Sequence, residues 1–168
     1  MSIPDHLIFG KQTNLEAIAR TVVILENTPD DNFNIGSWTC GTVHCAAGLA
    51  ARDPWFNKHG FYLDEYGVVS FKNPYDPLYY PNYHWQAVSA IFKIAAAEAE
   101  WLFSGSDYIP EYPEPKWTED EERYLLNNES NDAQNLLFRH IPKSAVIGRL
   151  KQVLELHKYE IRPETNLS

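Results

Sequence analysis

The sequence predicts a mainly α fold with a minor β element (α+β): five or six helices packed with one short β-hairpin, in a single globular domain over residues 1–168. Three observations carry this reading. Apolar residues recur at three- and four-residue intervals in several stretches, which places them on one face of a helix. Thr13-Asn14-Leu15-Glu16 and Thr118-Glu119-Asp120-Glu121 carry the pattern in which a Thr hydroxyl and a Glu carboxylate satisfy the free amides of a helix start. One place pairs two β-rich runs across a Gly-terminated turn. A chain of 168 residues buries about two-thirds of its unfolded surface, so its core needs neither disulfide nor metal.

The first helix opens at Thr13, with Leu15, Ile18, Ala19, Val22 and Leu25 as its apolar stripe, and Asn27-Thr28-Pro29 stops it. A polar loop follows, in which Phe33 and Ile35 alternate as in a short extended piece. A second helix is expected over residues 42–52, closed by Asp53-Pro54. Phe61-Tyr62-Leu63 and Val68-Val69-Ser70-Phe71 flank the turn Asp64-Glu65-Tyr66-Gly67, which makes the hairpin. Such a hairpin is marginal alone and must pack on helices. After a long loop, Trp85, Val88, Ile91, Phe92, Ala95, Ala99, Leu102 and Phe103 form the clearest stripe, with a break near Ile94-Ala95. Trp85 and Trp101 are expected in the core. A Pro-rich loop covers residues 104–117, a helix starts at Thr118, and a short one covers residues 133–140. The last helix opens at Pro142, a residue suited to a first turn, and buries Val146, Leu150, Val153, Leu154 and His157.

The chain is acidic, with a net charge of −9, and the charge is uneven. Residues 98–132 hold 11 acidic and 2 basic residues, so that segment alone matches the net value. Direct nucleic-acid binding through phosphates needs clustered Lys and Arg and is not expected. A basic partner, or an acidic face that mimics nucleic acid, stays open beside the plainer reading of a solvated surface. The N-terminal residues lack a basic start, an apolar core and a cleavage site, and residues 85–103 carry Gln86, Lys93, Glu98 and Glu100. These features predict a cytoplasmic protein with no membrane segment.

The most informative run is Trp38-Thr39-Cys40-Gly41-Thr42-Val43-His44-Cys45-Ala46-Ala47-Gly48-Leu49-Ala50-Ala51. It reads as a tight turn at Gly41, a helix start capped by Thr42, and a helix poor in bulky side chains that lets a neighbour come close. Gly48 would otherwise cost about 1 kcal/mol relative to Ala. The run from Cys40 to Ala50, with Trp38 ahead of it and Leu102-Phe103 ending a downstream helix, resembles a motif of small bacterial and phage-encoded proteins with no established activity. The close match covers these fourteen residues. Leu49 stands where an aromatic is frequent, and Phe92-Lys93-Ile94 where a Leu-Gly-Leu break is frequent. The resemblance implies an accessory, host-modulating role in a host cytoplasm and no particular chemistry.

Cys40 and Cys45 admit three readings. Near a helix N-terminus either thiol could be an activated nucleophile, with His59 or His84 brought from a distance as base, because His44 points elsewhere on the helix. Cys40, His44 and Cys45 could contribute to a metal site, but the second short ligand pair of a zinc site is missing, so no metal and no cofactor are expected. Both cysteines could instead be small buried residues of the core.

Residues 72–84 form a thirteen-residue loop with three Pro and four Tyr. Long loops of this kind are often functional, and Tyr75, Tyr79, Tyr80 and Tyr83 offer the flat, half-polar surface that binding sites favour. Ser106-Asp107-Tyr108 and Tyr112 are weaker copies in the second loop. The sequence therefore predicts a non-catalytic binding protein that engages a small ligand or a host protein through aromatic loops. A cysteine-dependent hydrolase or transferase is the alternative, and an acidic nucleic-acid mimic the third reading.

Overall fold

A computed structural model describes residues 3–33, 45–103 and 143–158. The expectations for residues 34–44, 104–142 and 159–168 lie outside them, including Trp38, Cys40, Gly41, Thr42, His44, Tyr108, Tyr112, the helix at Thr118 and the one over residues 133–140. Among the described residues the elements run α1 (Leu15–Glu26), a 3-10 turn (Asp30–Asn32), α2 (Ala46–Ala50), α3 (Pro54–Lys58), β1 (Phe61–Leu63), β2 (Val69–Phe71), β3 (Asn82–Tyr83), α4 (His84–Phe92), α5 (Ala96–Phe103) and α6 (Lys143–His157). The fold is mainly α with a small antiparallel sheet in the order β1-β2-β3.

Helix α1 starts one residue later than the Thr-x-x-Glu pattern suggests. Asn14, not Thr13, is the cap, and its Oδ1 accepts from the Ala17 N–H at 3.1 Å. The reason is tertiary: Asn14 also donates through Nδ2 to the Ile91 carbonyl at 2.9 Å and through its backbone N–H to Phe92 at 2.8 Å. One residue thus caps the start of α1 and the end of α4, where carbonyls lack helical partners. The buried face of α1 is Ala17, Ile18, Thr21, Val22 and Leu25, rotated from the expected stripe so that Ala19 is exposed. Thr21 tolerates burial because its hydroxyl donates to the Ala17 carbonyl at 2.8 Å.

The second helix is shorter than expected. Cys45 occupies the cap of α2, and Asp53-Pro54, read from sequence as a stop, also opens α3. Asp53 Oδ1 accepts from the Trp55 N–H at 2.9 Å while Pro54 fills the first turn, where its missing N–H costs nothing. Arg20 grips the same carboxylate through two hydrogen bonds of 3.1 and 3.0 Å, tying α1 to α3.

The break in the long apolar stripe falls at Lys93, which takes a left-handed conformation (φ 53°) after Phe92. The Ile94 N–H returns to the Ser89 carbonyl at 3.2 Å, closing α4 in the manner usually reserved for Gly. Glu98 then turns back to accept from the Ala95 N–H at 2.5 Å, so a buried carboxylate opens α5.

The core gathers Phe56, Phe61, Phe92 and Phe103, all buried, with ring centroids 4.9–6.3 Å apart around Phe92. Helix α6 packs across α1 and α5. It carries a residue that its apolar stripe does not reveal: Arg149, fully buried, lies over the Trp101 ring at 4.5 Å and donates to the Trp101 carbonyl at 2.7 Å. Trp101 is core as expected, whereas Trp85 is half-buried against it.

Candidate functional site

The sheet positions the site. Phe61 faces Phe71 and Leu63 faces Val69 across β1 and β2, while Tyr62 pairs with Ser70 and Ser70 with Tyr83. Side chains alternate along a strand, so Phe61, Leu63, Val69 and Phe71 share the core side and Tyr62, Ser70 and Tyr83 share the other. The third strand was not anticipated. Asn82 and Tyr83 have no β pattern of their own, and β2 supplies their ladder. Burial raises the Tyr62 phenol above its ordinary value, and Tyr83 and Asp64 add to the effect, as expected of neighbours on one surface.

The loop between β2 and β3 is built from two copies of one turn. Asn73 accepts from the Tyr75 N–H through Oδ1 at 3.0 Å and from the Asp76 N–H through its carbonyl at 3.3 Å. Three residues on, Asp76 accepts from Leu78 through Oδ1 at 3.0 Å and from Tyr79 through its carbonyl at 3.1 Å. Each acceptor is followed by Pro, at the position where its fixed φ suits such a turn. The chain path is therefore set by local hydrogen bonds and needs little burial.

The four tyrosines predicted as a binding set separate into two environments. Tyr75 is 85% exposed, Tyr80 89% and Tyr83 47%, and Leu78 joins them at 85%. Tyr79 instead turns onto the sheet, its ring edge-on to Phe71 at 5.8 Å and its hydroxyl accepting from Asn82 Nδ2 at 2.6 Å. It anchors the loop. Sequence reasoning missed Leu78 and also Tyr66, an 82% exposed residue at the hairpin turn. Tyr66 lies beyond the Leu63–Val69 pair, at the opposite end of the sheet from the loop. The turn holding it is fixed by Asp64 Oδ1, which accepts from the Tyr66 and Val68 N–H groups at 2.9 Å each.

The cysteine chemistry looks different in three dimensions. Cys45 is buried, its Sγ accepts from the Gly48 N–H at 3.3 Å, and burial pushes its thiol up to about 11. Sequence position suggested a lowered value from the helix start; α2 has five residues, and desolvation outweighs its short dipole. His59 lies against Trp55, with ring centroids 4.1 Å apart and Nδ1 2.7 Å from the Trp55 carbonyl. His84 is exposed at the first residue of α4 with φ 52°. Among the described residues no group of three or more His, Cys, Asp or Glu is placed to hold a metal, and no helix is long and apolar enough to cross a membrane.

Comparison with protein families, characterised proteins and solved structures gave no match to this chain.

Proposed function

We propose that this chain is a non-catalytic binding protein that engages a protein partner through the loop carrying Tyr75, Leu78 and Tyr80. One observation carries the reading: three large side chains stand almost fully exposed, Tyr75 and Leu78 on turns that fix their backbone and Tyr80 directly after the second turn. Large side chains with few rotatable bonds, as Tyr has, cost little entropy to immobilise on a partner. Side chains exposed to this degree do not enclose a cavity, which favours a macromolecular surface over a small ligand. The resemblance of the Cys40–Ala50 run to phage-encoded proteins supports an accessory, host-modulating role. The buried, weakly acidic thiol of Cys45 counts against Cys45 as the nucleophile of the cysteine-enzyme alternative.

Site-specific photo-crosslinking tests the reading. A benzophenone side chain at position 75 or 80 is expected to capture one defined protein in cells, while the same probe at exposed Ala97 on α5 captures none. Equal, non-specific capture at all three positions would refute it.

A further inference from the structure

We propose that the partner surface is basic: arginine or lysine side chains of a protein segment lie on the exposed tyrosine rings around the small sheet while carboxylates beside those rings hold their charge. The inference rests on the reading of this loop as the binding surface and adds the chemistry of what binds.

Six of the ten tyrosines of the chain fall between Phe61 and Tyr83, and that span carries three carboxylates, Asp64, Glu65 and Asp76, against one lysine, Lys72. The carboxylates are interleaved with the rings. Asp64 and Glu65 precede exposed Tyr66, and Asp76 sits between Tyr75 and Leu78 at the shared corner of the two loop turns. Asp64 also acts on Tyr62, which shares one side of the sheet with half-exposed Tyr83. An aromatic face attracts a cation that keeps its hydration on the far side, and a nearby carboxylate adds to that attraction. A neutral apolar partner would gain nothing from these acids, and an acidic one would be repelled. The overall charge of −9 steers a basic partner toward the molecule in general, so the specific claim concerns these three acids.

The turns allow the charges to be removed without removing the hydrogen bonds. Asp64→Asn and Asp76→Asn keep a side-chain oxygen where the Tyr66, Val68 and Leu78 N–H groups donate, and Glu65 is exposed. The probe is a ten-residue Arg-Gly repeat peptide, with a Leu-Gly repeat of equal length as neutral control, titrated at low salt and followed by calorimetry. The D64N/E65Q/D76N variant is expected to bind the Arg-Gly peptide at least about fivefold more weakly than the unmodified chain. A matched variant that removes three exposed acids elsewhere, D5N/E16Q/D31N, is expected to lose about twofold or less. Tyr66→Ser/Tyr75→Ser/Tyr80→Ser, which removes the exposed rings beside all three acids, is expected to abolish the difference between the two charge variants. Equal weakening by both charge variants would reduce the attraction to net charge and overturn the proposal. Loop-dependent binding of the Leu-Gly peptide at equal strength would overturn it too, while leaving the loop as the docking surface. Binding of either peptide that ignores Tyr75→Ser/Tyr80→Ser would overturn the reading of the loop itself.

Discussion

The backbone N–H of Asn14 donates to the carbonyl of Phe92 at 2.8 Å, joining the first residue of one helix cap to the last residue of another 78 positions away. The Asn14 side chain reinforces the joint from both ends, accepting from Ala17 and donating to Ile91. Asn14→Asp keeps a good cap but replaces the donor to Ile91 with a carboxylate facing a carbonyl. Asn14→Asp is therefore expected to lose about 1–2 kcal/mol, although Asp and Asn are equal as isolated caps. Urea unfolding of the two proteins checks this, and equal midpoints would mean that the link to Ile91 contributes nothing.

Lys93 closes α4 in a left-handed conformation that costs a residue with a Cβ about 1 kcal/mol or more. Lys93→Gly is expected to raise stability by about that amount, with the Ile94–Ser89 hydrogen bond retained. A lower melting temperature would show that the lysine side chain contributes more than the backbone strain costs.

Two other glycines should respond in opposite ways to the same substitution. Gly148 lies within α6, and a Cβ there would meet nothing within 4 Å, so Gly148→Ala is expected to stabilise by about 0.5–1 kcal/mol. Gly60 has φ 91°, and a Cβ there would overlap the Lys72 carbonyl at the start of the tyrosine loop. Gly60→Ala is expected to destabilise by about 2 kcal/mol or more. Thermal melts of both variants distinguish this account from one in which neither position is constrained.

Cys45 makes a prediction about pH. Its thiol is protonated in the folded protein up to about 11, whereas the unfolded chain loses that proton near the ordinary value of 9.0. Between those values the folded state binds more protons, so stability falls as pH rises through that window and is unaffected below it. The loss amounts to about 2–3 kcal/mol by pH 11 and is absent in Cys45→Ala. Iodoacetamide should label Cys45 slowly in the folded protein near pH 7. Rapid labelling there, traced to Cys45 by mass spectrometry, would reopen the nucleophile reading.

Much of this architecture was legible from residue patterns, and the departures share a cause. The hairpin strands and most of the stripe from Val88 to Phe103 were readable because each depends on local spacing, although Ala95 of that stripe is exposed and the break falls at Lys93. Asn14 displaced Thr13 as cap because of what α4 offers from a distance, and β3 formed because β2 had an open edge. Arg149 gave no signal of burial, since partners distant in sequence, the Trp101 ring and carbonyl among them, make its position favourable. Within the loop, the sequence marked four tyrosines without ranking them. The two Asx-Pro steps at Asn73 and Asp76 held the missing information, because turns three residues apart fix which side chains project and which return to the sheet.

Tyr75 and Tyr80 project away from the fold, whereas Tyr79 packs into it. Comparing the melting temperature of Tyr75→Ser/Tyr80→Ser with that of Tyr79→Ser tests this most directly. The double variant is expected to melt within about 2 °C of the unmodified protein, since exposed substitutions change stability by about 0.5 kcal/mol or less. The single variant, which loses the Phe71 contact and the hydroxyl accepting from Asn82, is expected to melt lower by about 4 °C or more. A double variant that melts as early as Tyr79→Ser would place Tyr75 and Tyr80 among the residues that hold the fold, and would contradict a loop built to present them to a partner.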